Sequence, residues 1–326
     1  MTGKAPQPGI VAVIGTGVIG RSWARVFARA GLSVRMWDAD PAHLEAAWAW
    51  FKADLKRSRK QHGLRKSIVR SERENVTRCA SLAEALAGAT YVQESGPERL
   101  DLKQALYRDL DALAAPKAIL ASSTSALDMT LIAEGLEGAE RCVVAHPVNP
   151  PHIVPAVEVL GGERTHPRVV RRTMRFLERV GQAPVLLRRY VPGFLLNRMQ
   201  AALVREAINL VVEGVASVEA VDAVVRDGLG LRWALMGPFG VANTNADGGV
   251  REYFERYGHS FQSLWADLKT DTVITPELLD RLGQAVDIMY RRVPPEVQRG
   301  WRDDMVERFR RLKATYPLGA PADGEE

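Results

Sequence analysis

Residues 10–20, IVAVIGTGVIG, decide the reading of the first half of the chain. Five apolar residues run into Gly15-Thr16-Gly17-Val18-Ile19-Gly20, and a helical pattern starts at Val18. A strand that turns through Gly-x-Gly-x-x-Gly into a helix is the arrangement that binds a dinucleotide. The first glycine makes the turn, the second lets a pyrophosphate approach the backbone, and the third lets the helix pack on the strand. The free N–H groups of the helix start then face the anion. We therefore assign Gly15, Gly17, Val18, Ile19 and Gly20 to cofactor binding. Asp38 closes the next apolar run, LSVRMWD, 18 residues beyond Gly20, where a carboxylate accepts from a ribose hydroxyl. Ala39 and Asp40 follow it and offer no cation for an extra phosphate, so NAD is expected over NADP. FAD shares the fingerprint, but no second flavin motif accompanies it.

Outward from this stretch, apolar runs alternate with helical patterns. Strands are expected over 10–15, 32–38, 90–94, 118–122, 141–146, 155–160 and 183–187. Helices are expected over 18–30, 41–60 and 99–114, with Asp40 as cap and Pro41 at the first position of the second. Thr165 is expected to cap a further helix that begins at Pro167. Such alternation implies βαβ units in a doubly wound, mostly parallel sheet. After Tyr190-Val191-Pro192-Gly193 no run reads as a strand. Phe194, Leu195, Met199, Leu203, Ala207 and Leu210 fall on one helical stripe, and helical patterns recur over 218–227, 276–291 and 295–311. The expected organisation is an α/β NAD-binding Rossmann domain at 1–192 and an all-α domain at 193–326. The polar end, PLGAPADGEE, reads as frayed.

The 326 residues are 46% hydrophobic and 25% charged, an ordinary globular composition. No apolar run approaches the roughly 20 residues of a membrane span. The N-terminal MTGKAPQPGI has no apolar core of a secretion signal. Cys79 and Cys142 form no metal pattern and suggest a reducing, cytoplasmic setting. The net charge of +5 is modest. Its densest run, residues 52–70, reads first as a solvated helix face and second as a contact for an anionic ligand. No nucleic-acid motif accompanies it, so a nucleic-acid partner is not expected.

Of six histidines, only His146 ends an apolar run, in CVVAHPVNPP, at the sheet edge where α/β proteins bind ligands. Alcohol oxidation with NAD needs a base for the hydroxyl proton, and imidazole suits this in both directions. Its other nitrogen needs an acceptor. Glu158, in PAVEVL, is a carboxylate in an apolar run, costly there unless paired. The residues alone leave open a catalytic His146–Glu158 pair or a structural histidine beside an edge-strand glutamate. His152, between Pro151 and Ile153, reads as a rim residue. No cluster has metal-ligand spacing.

GTGVIGRSWA, QESGPERLDLK, SSTSAL, AHPVNPP, VPGFLLNR and GLGLRWALMGP, in this order, resemble the 3-hydroxyacyl-CoA dehydrogenase family. The likeness is nearest to its lambda-crystallin branch, which includes L-gulonate 3-dehydrogenase, and runs from about Ile10 to Lys313. The resemblance implies that His146 is the general acid/base and Glu158 its orienting partner. It implies that Ser125 bonds the substrate oxygen and that Asn197 reaches the site from the helical domain. It matches Glu98 and Lys103 to NAD contacts, although an ordinary charge pair also fits their spacing. Asn149 is expected to line the cleft or to structure its loop. The family also implies a homodimer joined through the helical domain.

The segment at 228–238 departs from the acyl-CoA members. It is longer and inserts Arg232 and Trp233. A guanidinium there could hold a free carboxylate bidentately, so Arg232 is a candidate substrate anchor; a helix-end role is the plain alternative. The expected reaction is oxidation of a small 3-hydroxy acid. A 3-hydroxyacyl-CoA thioester, carnitine with its quaternary ammonium against Trp233, and a non-catalytic crystallin-like role remain as alternatives.

Overall fold

The computed structural model describes residues 9–316, so the first eight residues and the polar C-terminal end lie outside the described residues. Two compact units divide between Leu196 and Asn197.

The first unit is built on one eight-stranded sheet. Its strands are β1 (Ile10–Ile14), β2 (Ser33–Trp37), β3 (Val76–Arg78), β4 (Ala89–Glu94), β5 (Ile119–Ser122), β6 (Cys142–Pro147), β7 (Ala156–Gly161) and β8 (Ala183–Leu186). They lie in the order β3-β2-β1-β4-β5-β6-β7-β8. Neighbours are parallel except β6 and β7, which pair antiparallel. Strand order reverses beside β1, so the crevice outside β1 and β4 is the expected ligand site.

β1 shows how the sequence makes two cores. Side chains alternate across a strand, so Val11 and Val13 enter one buried cluster with Trp23, Phe27, Met36, Phe51 and Tyr91. Ala12 and Ile14 enter the other with Val92, Tyr107, Leu110, Leu120 and Phe194. The helices over these faces include α1 (Val18–Arg29), α2 (Pro41–His62), α3 (Lys66–Glu74), α4 (Leu82–Leu86), α5 (Leu100–Leu113), α6 (Met129–Ile132) and α7 (Pro167–Arg179). Asp40 caps α2 by accepting from the Ala42 amide.

Two local expectations are corrected. His166, not Thr165, caps α7, accepting at 3.1 Å from the Arg168 amide. The Thr165 hydroxyl instead accepts from the Gly162 amide and donates to the Cys142 carbonyl, closing the turn after β7. Residues 52–70 span the end of α2 and most of α3: Gly63, at φ 67°, ends α2 in the left-handed conformation that favours glycine, and α3 begins at Lys66. Every lysine and arginine of that run is exposed. Phe194 and Leu195 do not lie on the following helix; both precede it, and Phe194, at φ 51°, is buried in the first unit's core.

The second unit is helical. Helix α8 (Leu196–Val212) begins at the division, and α9 (Val218–Ala223) leads into a π-helical turn over Val224–Gly230. Then come α10 (Leu231–Trp233), α11 (Pro238–Asn243), α12 (Gly249–Asp267), α13 (Pro276–Met289) and α14 (Pro295–Thr315). No strand follows β8 among the described residues, and no described helix is long and apolar enough to cross a membrane.

Candidate active site

The glycine turn meets the physical demands of a phosphate site. Gly15 sits at φ 83°, and a Cβ there would lie 2.8 Å from the Gly96 nitrogen. A Cβ on Gly20 would collide with the Gly15 carbonyl oxygen. Around Gly17 the space is open, as a pyrophosphate approaching the start of α1 requires. Val18, the first residue of α1, is half exposed beside it.

A cleft of about 590 Å³ continues from this turn along the end of β2, lined by Thr16, Trp37, Asp38, His43, Pro97 and Leu106 among others. Thr16, between the first two glycines, donates to one Asp38 carboxylate oxygen from its amide (2.6 Å) and its hydroxyl (2.9 Å). The other oxygen accepts from the Asp40 amide. Asp38 is thus oriented before any ligand arrives. His43, largely exposed, stands 3.7 Å from Asp38 and 3.8 Å from Asp40. Neither Thr16 nor His43 was singled out from the sequence. The apolar cleft, the open glycine turn and the fixed Asp38 carboxylate fit a dinucleotide.

His146 and Glu158 are brought together by strand register. They are directly opposite on antiparallel β6 and β7, so their side chains share one face. His146 Nδ1 lies 2.8 Å from Glu158 Oε2. Glu158 Oε1 accepts from the amides of Leu195 (2.7 Å) and Leu196 (3.0 Å), at the start of α8. Burial pushes the Glu158 carboxyl up, but the bonds from His146, Leu196 and Leu195 outweigh it and hold it below its ordinary value. Phe194 packs on the imidazole at 5.5 Å between ring centres. The ring therefore has one nitrogen on a carboxylate, which leaves Nε2 for proton transfer.

Glu98 and Ser125 also meet. One Glu98 oxygen accepts from the Thr124 hydroxyl (2.7 Å), the Ser125 amide (2.8 Å), the Ala126 amide (3.0 Å) and the Ser125 hydroxyl (3.2 Å). Burial opposes ionisation of Glu98, but these donors and Lys103 prevail and its pKa is lowered. Lys103 is only 2% exposed; its ammonium turns inward, 2.7 Å from buried Glu94 and 3.7 Å from Glu98. Asn149 is exposed on the β6–β7 connection. Asn197 and Arg232 belong to the helical unit. Asn197 is the second residue of α8 and half-buried, and Arg232 is exposed, its Nε 3.4 Å from the Gly228 carbonyl.

His152 is corrected from rim to interior: it is 4% exposed. It lies 3.9 Å from Asp54, which also receives Arg25 (2.9 Å) and Arg57 (2.5 Å), and Arg25 pairs with Glu72. Burial pushes the His152 pKa down to about 4, with Asp54 only partly opposing. Arg29 donates to its carbonyl and Trp50 meets its ring edge-on. The connection between the two strands that carry His146 and Glu158 is thus anchored to α1 and α2. Further buried polar groups under the site escaped the sequence reading. The indole of Trp23 and the amide of Gln93 both donate to the Ser123 hydroxyl, at 3.2 and 2.8 Å. The signal was present: Gln93 and Glu94 end the buried part of β4, where polar side chains need partners.

Residues 10–190 match the 3-hydroxyacyl-CoA dehydrogenase NAD binding domain, and residues 193–286 match the C-terminal domain of the same family. A lambda-crystallin homolog of Bos taurus is 40% identical over 317 residues, 95% of this chain and 97% of that one. L-carnitine dehydrogenase of Pseudomonas aeruginosa is 40% identical over 274 residues, 83% of each chain. Among solved structures, an NAD+-dependent 5-formyl-3-hydroxy-2-methylpyridine 4-carboxylic acid 5-dehydrogenase is similar with a TM-score of 0.79 and 29% identity. The match covers 94% of this chain and 98% of that one. With both domain models in order and relatives of this identity over nearly the full length, the chain belongs to the 3-hydroxyacyl-CoA dehydrogenase family, and NAD is its cofactor.

Proposed function

We propose that the protein oxidises the 3-hydroxyl of a small free 3-hydroxy acid, in the manner of an L-gulonate 3-dehydrogenase. The observation that carries this reading is the buried His146–Glu158 pair at the ligand-binding edge of an NAD domain. The hydride leaving the substrate C3 would go to NAD held at the glycine turn. His146 takes the hydroxyl proton on Nε2, and Glu158 holds the ring and stabilises the imidazolium that forms. Ser125 hydrogen-bonds the reacting oxygen, Asn197 supplies a second polar contact to it, and Asn149 lines the approach. Glu98 contacts NAD and fixes Ser125, and Lys103, buried beside it, acts on the cofactor through Glu98. Gly15, Gly17, Val18, Ile19 and Gly20 receive the pyrophosphate, and Asp38 the ribose.

For the acid in preference to the thioester, we rely on Arg232 as carboxylate anchor. Two similar proteins are named for substrates that are themselves carboxylic acids. The second reading is L-carnitine, favoured by the relatives of that name and by the half-exposed Trp233, whose ring could face a quaternary ammonium. We further propose a cytoplasmic homodimer joined through the helical unit, which exposes Met199, Trp265 and Trp301 by 60% or more.

The test is the initial rate of NADH formation with L-gulonate, L-3-hydroxybutyrate, L-carnitine and L-3-hydroxybutyryl-CoA at matched concentrations. Preference for gulonate or hydroxybutyrate supports the first reading, and preference for carnitine the second. Preference for the thioester overturns both and makes the cations of residues 52–70 candidates for CoA phosphates. NADH binding without turnover of any of them favours a crystallin-like role.

A further inference from the structure

Glu94 is the last residue of β4 and has no solvent exposure. One of its oxygens accepts from the Gly96 amide (2.6 Å) and the Lys103 ammonium (2.7 Å). The other accepts from the hydroxyl of Ser122, its register partner at the end of β5, at 2.6 Å. From Ser122 the chain of contacts continues. The Thr124 amide donates to the Ser122 hydroxyl (3.2 Å), the Thr124 hydroxyl to Glu98 (2.7 Å), and Glu98 stands 3.7 Å from the Lys103 ammonium. Lys103 returns to Glu94, so Glu94, Ser122, Thr124, Glu98 and Lys103 close a ring. It joins the turn after β4 to the turn after β5.

Neither the cofactor contacts nor the proton transfer uses Glu94. A buried ion pair is also a poor device for stability, because desolvation cancels much of its attraction. Its value is geometric: a carboxylate with three donors permits one arrangement of the groups around it. The backbone it shapes matters twice. Gly15 packs against Ser95 and Gly96, so the turn after β4 sets the wall of the phosphate turn. The Ser125 amide and hydroxyl hang from Glu98, whose second oxygen faces Lys103.

We propose that Glu94 is a positioning residue, which through Lys103 and Ser122 holds the turns after β4 and β5 at the spacing NAD and substrate require. The part concerning Ser125 rests on the proposed function; the part concerning NAD does not.

The experiment compares the full-length parent, Glu94→Gln and Glu94→Gln/Lys103→Met. It measures NADH affinity by fluorescence titration and kcat and KM with the best 3-hydroxy substrate, at a temperature where melting curves show each protein folded. Glutamine keeps the shape but not the charge, so Lys103 is left with Glu98 and draws it off Ser125. The expected result is NADH binding at least fivefold weaker and kcat at least tenfold lower, with a smaller change in KM. The double variant removes both charges and leaves no buried ion unpaired, so it serves even if Glu94→Gln folds poorly. If the pair only balances charge, the double variant regains NADH affinity within twofold of the parent, and the proposal is overturned. It is equally overturned if Glu94→Gln itself stays within twofold. A parent that binds NADH but turns over no 3-hydroxy substrate refutes the functional reading and leaves the NADH comparison intact.

Discussion

Glu158→Gln is the substitution that most directly interrogates the site. Glu158 accepts three N–H groups: His146 at 2.8 Å, Leu195 at 2.7 Å and Leu196 at 3.0 Å. A glutamine has one acceptor oxygen and one donor nitrogen, so in either orientation a donor faces a donor. Turned one way, it deprives two backbone amides of their acceptor, at about 1–3 kcal/mol each. Turned the other way it keeps both and presents its NH2 to His146. The second orientation costs less, so the variant should fold, with the imidazole forced to accept at Nδ1 and carry its proton on Nε2. That is the wrong tautomer for taking a proton from substrate. A comparable carboxylate-to-amide change beside a catalytic histidine costs about 10⁴ in kcat, and four powers of ten correspond to about 5.4 kcal/mol. We expect a loss on the order of 10³–10⁴ in stopped-flow or steady-state NADH formation, with NADH affinity within threefold and a melting temperature within a few degrees. A folded Glu158→Gln enzyme within tenfold of the parent would refute the assignment of His146 as base.

Other outcomes follow from the same geometry. Arg232→Ala should raise KM for the best free acid at least tenfold while leaving a thioester unaffected; unchanged KM and kcat for the acid would remove the carboxylate anchor. Thr16→Val deletes one hydroxyl bond to Asp38, worth about 1 kcal/mol, so isothermal titration should find NAD bound several-fold more weakly, and equal affinity would argue against preorientation of Asp38. Gly20→Ala places a methyl against the Gly15 carbonyl oxygen and should abolish NADH binding in the folded protein. His152 has a folded pKa near 4 against an ordinary 6.5, so protonation favours the unfolded chain. Stability is unaffected by this group above about pH 6.5 and falls by about 3 kcal/mol as pH drops to about 4. Urea melts of the parent and His152→Phe at pH 7 and pH 4.5 should show a smaller acid loss in the variant, and identical losses would count against the burial argument.

The parts of the fold legible in the sequence are those where local chemistry is unambiguous. The glycines of residues 15–20 can be read because only glycine survives the approach of Ser95 and Gly96 on one side and of the Gly15 carbonyl on the other. Glu158 stood out because a carboxylate in a strand needs a partner, and its register partner is His146. His152 was misread because HPVNPPHIVP has the composition of an exposed loop. Its burial depends on Arg25, Asp54 and Glu72, charged residues on three different helices whose mutual neutralisation has no one-dimensional pattern. Lys103 shows the same limit: its spacing from Glu98 fits a charge pair, and only the folded chain buries its ammonium on Glu94 as well. Thr165 is the better cap by type, but the Gly162 amide and the Cys142 carbonyl engage its hydroxyl and leave the helix start to His166.

The single antiparallel pair in the sheet has a consequence for how the site can vary. Register between two strands changes only in whole residues, and each step of one moves a side chain to the opposite face. The separation of His146 and Glu158 is therefore a digital quantity. An insertion or deletion in the Pro-rich connection at 148–155 is either absorbed there, leaving the pair whole, or shifts a strand by a step and separates the two entirely. The part of the connection outside the His152 anchor can therefore change while the His146–Glu158 pair is kept whole or lost whole, without intermediate forms.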